Sequence, residues 1–131
     1  MQWDAGPNAG FTAGTPWIGA AGNYRAINAA AETGDPDSVY SFYKKLTALR
    51  KARPVIQAGH IEFLYRGDPD LLAYRRWDGE SELLVLCNLT AHDAPVALPG
   101  GWQTAGVLLD NYPDAAPGAP LRPYEALVLE R

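Results

Sequence analysis

The chain has 131 residues, 47% hydrophobic and 20% charged, with a formal net charge of −4, which suits a folded domain with a real core and excludes a disordered acidic tail. No basic run is long enough to neutralise a phosphate backbone, so nucleic acid is excluded as a partner. One cysteine, Cys87, excludes an internal disulfide and a cysteine-rich metal site; without a signal-peptide pattern or an apolar run of membrane-spanning length, a cytoplasmic protein with no membrane partner is expected.

Residues 1–34 begin "MQWDAGPNAGFTAGTPW" and show neither a helical nor a strand period. A long irregular segment of this kind is either a functional loop or a frayed tail. Its glycines are spaced too irregularly for a nucleotide fingerprint. Trp3, Phe11, Trp17 and Tyr24 decorate it, and aromatic faces of this kind either anchor a loop or stack on the C–H faces of sugars.

The next stretch, "DPDSVYSFYKKLTALRKARP", predicts one amphipathic helix over about 36–52. Asp35 is the expected N-cap, with Pro36 at the first helical position. Val39, Phe42, Tyr43, Leu46 and Leu49 form an apolar stripe, and Lys44, Lys45, Arg50 and Lys51 sit toward the negative end of the dipole. Pro54 ends it.

After Gly59 the pattern predicts strands near 60–65, 71–77, 82–89, 94–98, 104–110 and 124–130. Asp78-Gly79 marks a hairpin turn. The continuous run "ELLVLCNL" predicts a strand covered on both faces. Short strands at this spacing predict a mainly β fold, an antiparallel sandwich.

Candidate chemistry is sparse. His60 and His92 have no second ligand at metal-site spacing, so no metal and no cofactor is expected. Asp35/Asp37 and Asp68/Asp70 flank prolines at turns and read as caps. Ser38, Ser41 and Ser81 have no base in sequence reach, and Cys87 reads as a small hydrophobe within a strand. Asn88-Leu89-Thr90 matches a glycosylation sequon at the end of a covered strand and is not expected to be used.

The opening motif, "NYRAINAA" and "DPDSVYSFYKKLTALRKARPVI" together resemble the C-terminal part of bacterial α-glucosidases of the oligo-1,6-glucosidase type, in the α-amylase superfamily, and "LRPYEALVLE" resembles the last strand of that family's C-terminal domain. The resemblance covers essentially the whole chain. It implies that 1–57 is a remnant of a TIM-type barrel, with 1–34 the active-site-side loop after its last strand and about 36–52 its final helix; 58–131 would be the β-sandwich domain that follows. It also implies a retaining glycosidase whose catalytic carboxylates all lie on barrel strands upstream. No catalytic residue is therefore carried onto this chain, and the expected partner is the missing N-terminal barrel, in cis or in trans, with oligosaccharide bound only by the intact enzyme. Gln2, Trp3 and Asp4 match the motif beside the sugar site and are expected to shape that loop, with Phe11 and Trp17 as further candidates. Asp4 resembles the glucosidases more than the related trehalose synthases, which leaves a glucosyl-transferring or isomerising enzyme as an alternative. A free-standing carbohydrate-binding or interaction sandwich, using Trp77 or Trp102 as exposed platforms, is a further one.

Overall fold

The computed structural model describes residues 1–131, which divide into two units, Met1–Leu49 and Arg50–Arg131. In the first, α1 (Ala29–Gly34) follows a long loop that contains one 3₁₀ turn, Pro7–Gly10. α1 has no hydrophobic period. It forms because Asn28 caps it, accepting from the Ala31 amide at 2.9 Å, ahead of three alanines.

α2 (Val39–Ala52) starts at Val39 rather than near 36. The Asp35 carboxylate instead accepts from the Asp37 amide at 2.9 Å, closing a turn, and the Ser38 hydroxyl accepts from the Ser41 amide at 3.1 Å. Local side-chain bonds of this type compete with helical pairing and move the cap to Ser38. Arg50 and Lys51 occupy the last turn, where cations are favoured. Arg53 ends α2, as Pro54 requires, but Pro54 also opens α3 (Pro54–Ala58) at its first turn.

The second unit is built on one antiparallel sheet of β1 (His60–Leu64), β2 (Leu71–Trp77), β3 (Glu82–Asn88), β4 (Gly106–Asp110) and β5 (Ala126–Glu130), ordered β1-β2-β3-β5-β4. The β2–β3 hairpin turns at Asp78–Ser81; the Asp78 carboxylate accepts from the Glu80 and Ser81 amides, both at 3.1 Å, and Gly79 takes φ +93. Those amides hold the Asp78 carboxyl below the usual range.

One face of the sheet carries the core of the sandwich. Ala73, Leu84, Leu86, Leu127 and Leu129 are buried there with Trp102 and Leu121, which arrive on loops. Val96, Leu98, Ala105 and Ala115 pack round that cluster. The expected strand at 94–98 is reduced to a single bridge, Ala94 to Leu121. Pro95 directly after the bridge and Pro99 at the end of the stretch have no amide to donate to a ladder, so covering side chains rather than a long strand complete the layer.

The register fixes the opposite face. Phe63, Tyr74, Val85, Val128 and Leu109 stand in one row across all five strands, beside a second row of Leu72, Cys87 and Ala126. A third row, Ile61, Arg76, Leu83 and Glu130, runs beside them, and α3 packs against β2 there. Arg76 donates to the Val55 carbonyl at 3.1 Å and the Gly59 carbonyl at 2.9 Å, and Arg53 pairs with Glu130 at 3.0 Å. Val55 and Leu83 are both buried.

Two polar residues of the second unit, Glu125 and Asn88, are buried and fully paired. Burial alone would raise the Glu125 carboxyl, but bonds from the Arg122 side chain and amide hold it below the usual glutamate range. Asn88 sits where β3 ends, between the 90–92 turn and the approach to β5. No helix is long and apolar enough to cross a membrane.

Candidate functional site

The first unit shapes its loop with backbone geometry that most residues avoid. Asn8, Ala9 and Gly10 hold φ values of 54, 55 and 66 in succession, a left-handed run that costs roughly 1–2 kcal/mol for each residue carrying a Cβ. Several bonds hold it there. The Ala9 carbonyl accepts from the Trp3 amide at 2.8 Å, and the Asp4 carboxylate accepts from the Gly6 amide at 2.8 Å. The Asn8 side-chain amide donates to the Thr12 carbonyl at 3.0 Å and the Gly14 carbonyl at 2.9 Å.

The start of the chain is tied to α1 as well. Ala29 and Ala30 donate backbone bonds to the Gln2 and Trp3 carbonyls, each at 2.9 Å. The Gln2 side-chain amide reaches the Ile27 carbonyl at 2.9 Å, and Asn28 donates to the Tyr24 carbonyl at 2.8 Å. The loop is thus stitched by polar bonds rather than by a core.

These ties leave an open groove of about 820 Å³ whose walls include Gln2, Phe11, Trp17, Ile27, Asn28 and Tyr40. That size is typical of small-ligand sites, ~300–1,000 Å³. Its aromatic residues are exposed, Trp17 by 94%, so they are presented to solvent rather than used to close a core. Glu32 brings the acidic group; its carboxylate accepts from the Tyr40 amide at 3.1 Å and so braces the start of α2. Open apolar walls with a few amide and carboxylate groups can stack on and hydrogen-bond a polyhydroxylated ligand.

Of the expected loop residues, Gln2, Phe11 and Trp17 come together on the groove, while Trp3 and Asp4 do not line it. Trp3 is half-exposed and holds the loop through its backbone; the Asp4 carboxylate is spent on the turn. Ile27, Asn28 and Tyr40 were not anticipated. Asn28 ahead of three alanines was a legible cap signal; Ile27 and Tyr40 carried none, because only the fold brings them to the groove.

Trp102 is 1% exposed, so it is no platform for a sugar, and the expectation that it is one is corrected. Sequence places it beside a Gly-Gly turn, but its ring folds inward as a core lid. Trp77 is half-buried, with His60 stacked on it at 5.4 Å and the Arg75 guanidinium 4.8 Å from its ring centre, so it too is engaged. Asp68 and Asp35 accept from the amides of Asp70 and Asp37, both at 2.9 Å, and Ser38 donates to backbone carbonyls of Glu32 and Asp35. Burial pushes the Cys87 thiol up, which blunts its reactivity. No group of three or more His, Cys, Asp or Glu stands close enough to hold a metal ion.

Gly10 provides a test of the loop. A Cβ there would lie 2.4 Å from Asp4 Oδ2 and 2.9 Å from Oδ1. Gly10→Ala is expected to push the carboxylate off the Gly6 amide and to cost about 1–3 kcal/mol locally. Hydrogen exchange is expected to lose protection at the Trp3 and Gly6 amides while the β3 and β5 amides keep theirs. Adding Asp4→Ala to Gly10→Ala should restore part of the protection at Trp3, because the clash then has no partner.

Residues 1–59 match the family described as "Alpha amylase, catalytic domain", and residues 62–128 match a domain of unknown function, DUF3459. Among curated proteins, the trehalose-6-phosphate hydrolase of Bacillus subtilis (strain 168) is 42% identical over 98% of this chain and 24% of its own length. The oligo-1,6-glucosidase of Parageobacillus thermoglucosidasius is 40% identical, with 98% and 24% covered. Among solved structures, the trehalose-6-phosphate hydrolase of Bacillus licheniformis superposes with a TM-score of 0.89 at 36% identity, over 99% of this chain and 25% of that one. A trehalulose synthase superposes with a TM-score of 0.91 at 38% identity, over 100% and 25%. The chain spans about a quarter of the length of the curated relatives it matches.

Proposed function

We propose that this chain, which belongs to the α-amylase superfamily as a C-terminal part of an α-glucosidase-type glycoside hydrolase, supplies one wall of the sugar site and the β-domain beside the barrel of an enzyme acting on short α-glucosides. Residues 1–57 are the barrel portion, with 1–34 the active-site-side loop and the following helix the last of the barrel; residues 58–131 are the β-domain. Gln2, Phe11 and Trp17 face the sugar, while Trp3 and Asp4 hold the loop in shape. The protein works in the cytoplasm.

The observation that carries this reading is the groove of exposed Phe11, Trp17 and Tyr40 inside the segment matched by the catalytic-domain family. Such walls add binding area and exclude water, but bond cleavage in a retaining glycosidase needs a nucleophilic carboxylate and an acid/base about 5–5.5 Å apart across the scissile bond. In this reading both come from barrel residues beyond these 131, since Asp4 is committed to the Gly6 amide and Glu32 to the Tyr40 amide. Binding without that pair gives no acceleration of the chemical step.

The purified 131-residue chain, incubated with a chromogenic α-glucoside, is expected to give no turnover above buffer. Turnover that Asp4→Asn abolishes would overturn the assignment. Likeness to a trehalulose synthase supports a second reading, glucosyl transfer or isomerisation by the complete enzyme. Product analysis of that enzyme on a disaccharide, for free glucose against a rearranged disaccharide, separates the two.

A further inference from the structure

We infer that Glu32 fits the groove of the first unit to uncharged glucosides and turns away phosphorylated ones. This rests on the reading above that the groove faces sugar. It separates two substrate classes that likeness leaves open, since an oligo-1,6-glucosidase and a trehalose-6-phosphate hydrolase are 40% and 42% identical to this chain. A phosphate group brings up to about two negative charges. Proteins meet it with arginine or lysine, or with the free amides of a helix N-terminus. The groove has neither to spare. Glu32 is the only charged side chain on its walls. Arg25, Lys44 and Lys45 are the basic side chains of residues 1–49, and none of them lines it. Arg25 Nε donates to the Tyr24 hydroxyl and Lys45 to the Pro36 carbonyl, both at 3.3 Å.

The helix amides that border the groove are largely spent inside the chain. In α1, Ala29 and Ala30 donate to the Gln2 and Trp3 carbonyls, while Ala31 and Glu32 donate to the side-chain and backbone oxygens of Asn28, each at 2.9 or 3.0 Å. α2 is the longer helix, and Val39 and Tyr40 at its N-terminal end stand on the groove. There the Tyr40 amide, which an anion would seek, already meets Glu32 Oε2 at 3.1 Å. The Ser41 and Phe42 amides go to the hydroxyl and carbonyl of Ser38, at 3.1 and 2.9 Å. The chain thus supplies its own anion at the positive end of α2 and fixes a negative charge on an otherwise apolar wall. Glu32 Oε1 makes no hydrogen bond within the chain, so a sugar hydroxyl can donate to it. A phosphate in the same groove meets like charge with no cation to offset it. The negative ring faces of Phe11 and Trp17 add no attraction for an anion either.

Glu32→Gln keeps an acceptor for the Tyr40 amide and removes the charge, so it separates selection from bracing. The test titrates the 131-residue chain and this variant with trehalose and with trehalose-6-phosphate, following the nuclear magnetic resonance signals of the Gln2 and Tyr40 amides and the Trp17 indole. The native chain is expected to respond to trehalose at a concentration roughly tenfold below that needed for its 6-phosphate, and Glu32→Gln to bring the two within about threefold. Added salt should narrow the gap in the native chain and leave the variant unmoved, because screening acts on the charge. Equal responses of the native chain to both sugars, or a gap that survives in Glu32→Gln, would overturn the assignment. A residue that only braces α2 gives another pattern: Glu32→Asp, one methylene short of Tyr40, weakens both sugars alike while Glu32→Gln changes neither. That result also sinks the idea. Silence toward both sugars would instead retire the reading of the groove, and this inference with it. In a chimera carrying this chain in place of the matching quarter of the Bacillus subtilis trehalose-6-phosphate hydrolase, Glu32→Gln is expected to lower the KM for trehalose-6-phosphate several-fold and to move kcat much less. An unmoved KM there would contradict the role given to Glu32, and if the chimera is insoluble the titrations decide alone.

Discussion

Asn88→Ala is expected to destabilise the β-domain by about 3–4 kcal/mol, since buried groups that lose a partner cost ~1–3 kcal/mol each. Asn88 is 2% exposed, and its side chain joins three pieces of chain. The amide nitrogen lies 2.6 Å from the His92 carbonyl, 3.2 Å from that of Leu121 and 2.9 Å from that of Arg122. The amide oxygen accepts from the Thr90 amide at 2.9 Å and from the Thr90 hydroxyl at 2.7 Å. Alanine removes every one of these bonds and leaves a void too polar to stay dry. Asn88→Asp is the sharper variant. It keeps the shape and the bonds from Thr90, but turns a second oxygen toward three carbonyls. Its folded-state carboxyl is therefore raised, with the neutral form favoured. Acidification then has an unusual direction: this variant should gain stability as pH falls toward the carboxylate range, while the wild-type chain does not. Urea unfolding at neutral and mildly acidic pH checks both statements. A neutral Asn88→Ala would mean that the joint is held elsewhere.

Trp102→Ala is expected to cost about 3–5 kcal/mol, in the range for removing a large buried aromatic, and Trp102→Phe much less. Trp102 joins the cluster of Leu84, Leu86, Leu127 and Leu129. Above it lies Arg131, whose guanidinium is 4.5 Å from the ring centre and donates to Glu82 Oε2 at 2.9 and 2.6 Å. Losing the indole thus opens a cavity and frees an arginine whose stacking is worth a further ~0.5–2 kcal/mol. Set against a total stability of about 5–15 kcal/mol for a domain, either variant should shift the urea midpoint far enough to be read without extrapolation. Intrinsic fluorescence of the wild-type chain should not respond to maltose through this residue. A Trp102→Ala chain that unfolds like wild type would contradict the burial.

Much of the sheet was legible because strand chemistry is local. The β-branched and aromatic runs after Gly59 and the Asp78-Gly79 turn mark β1, β2 and β3 within a residue or two. The α2 stripe was equally plain, although its start was not, since Asp35 and Ser38 are both plausible caps and only the turn at Asp35–Asp37 decides between them. What failed was non-local. α1 and α3 are too short for a period to emerge, and Pro54 reads as a stop signal before it reads as a start. The inward turn of Trp102 buries it among Leu84, Leu86, Leu127 and Leu129, on two strands that the local sequence does not connect to it. The groove shows the same division: Gln2, Phe11 and Trp17 were found by motif, whereas Tyr40 arrives from the helix that follows. Asp4 and Trp3 were singled out for the right loop, with the fold using them as braces.

The clasp around α3 bears on how such proteins can be recombined. A shuffling experiment guided by family boundaries would cut between residues 59 and 62. That cut would strip the sheet of Val55 and Arg53, leave the Arg76 guanidinium without its two carbonyls and orphan Glu130. Gly59 is wedged so closely that a Cβ would sit 2.5 Å from the Val55 carbonyl, which makes this stretch a poor splice point. Evolution, like the engineer, should exchange the β-domain with its short proline-led helix still attached.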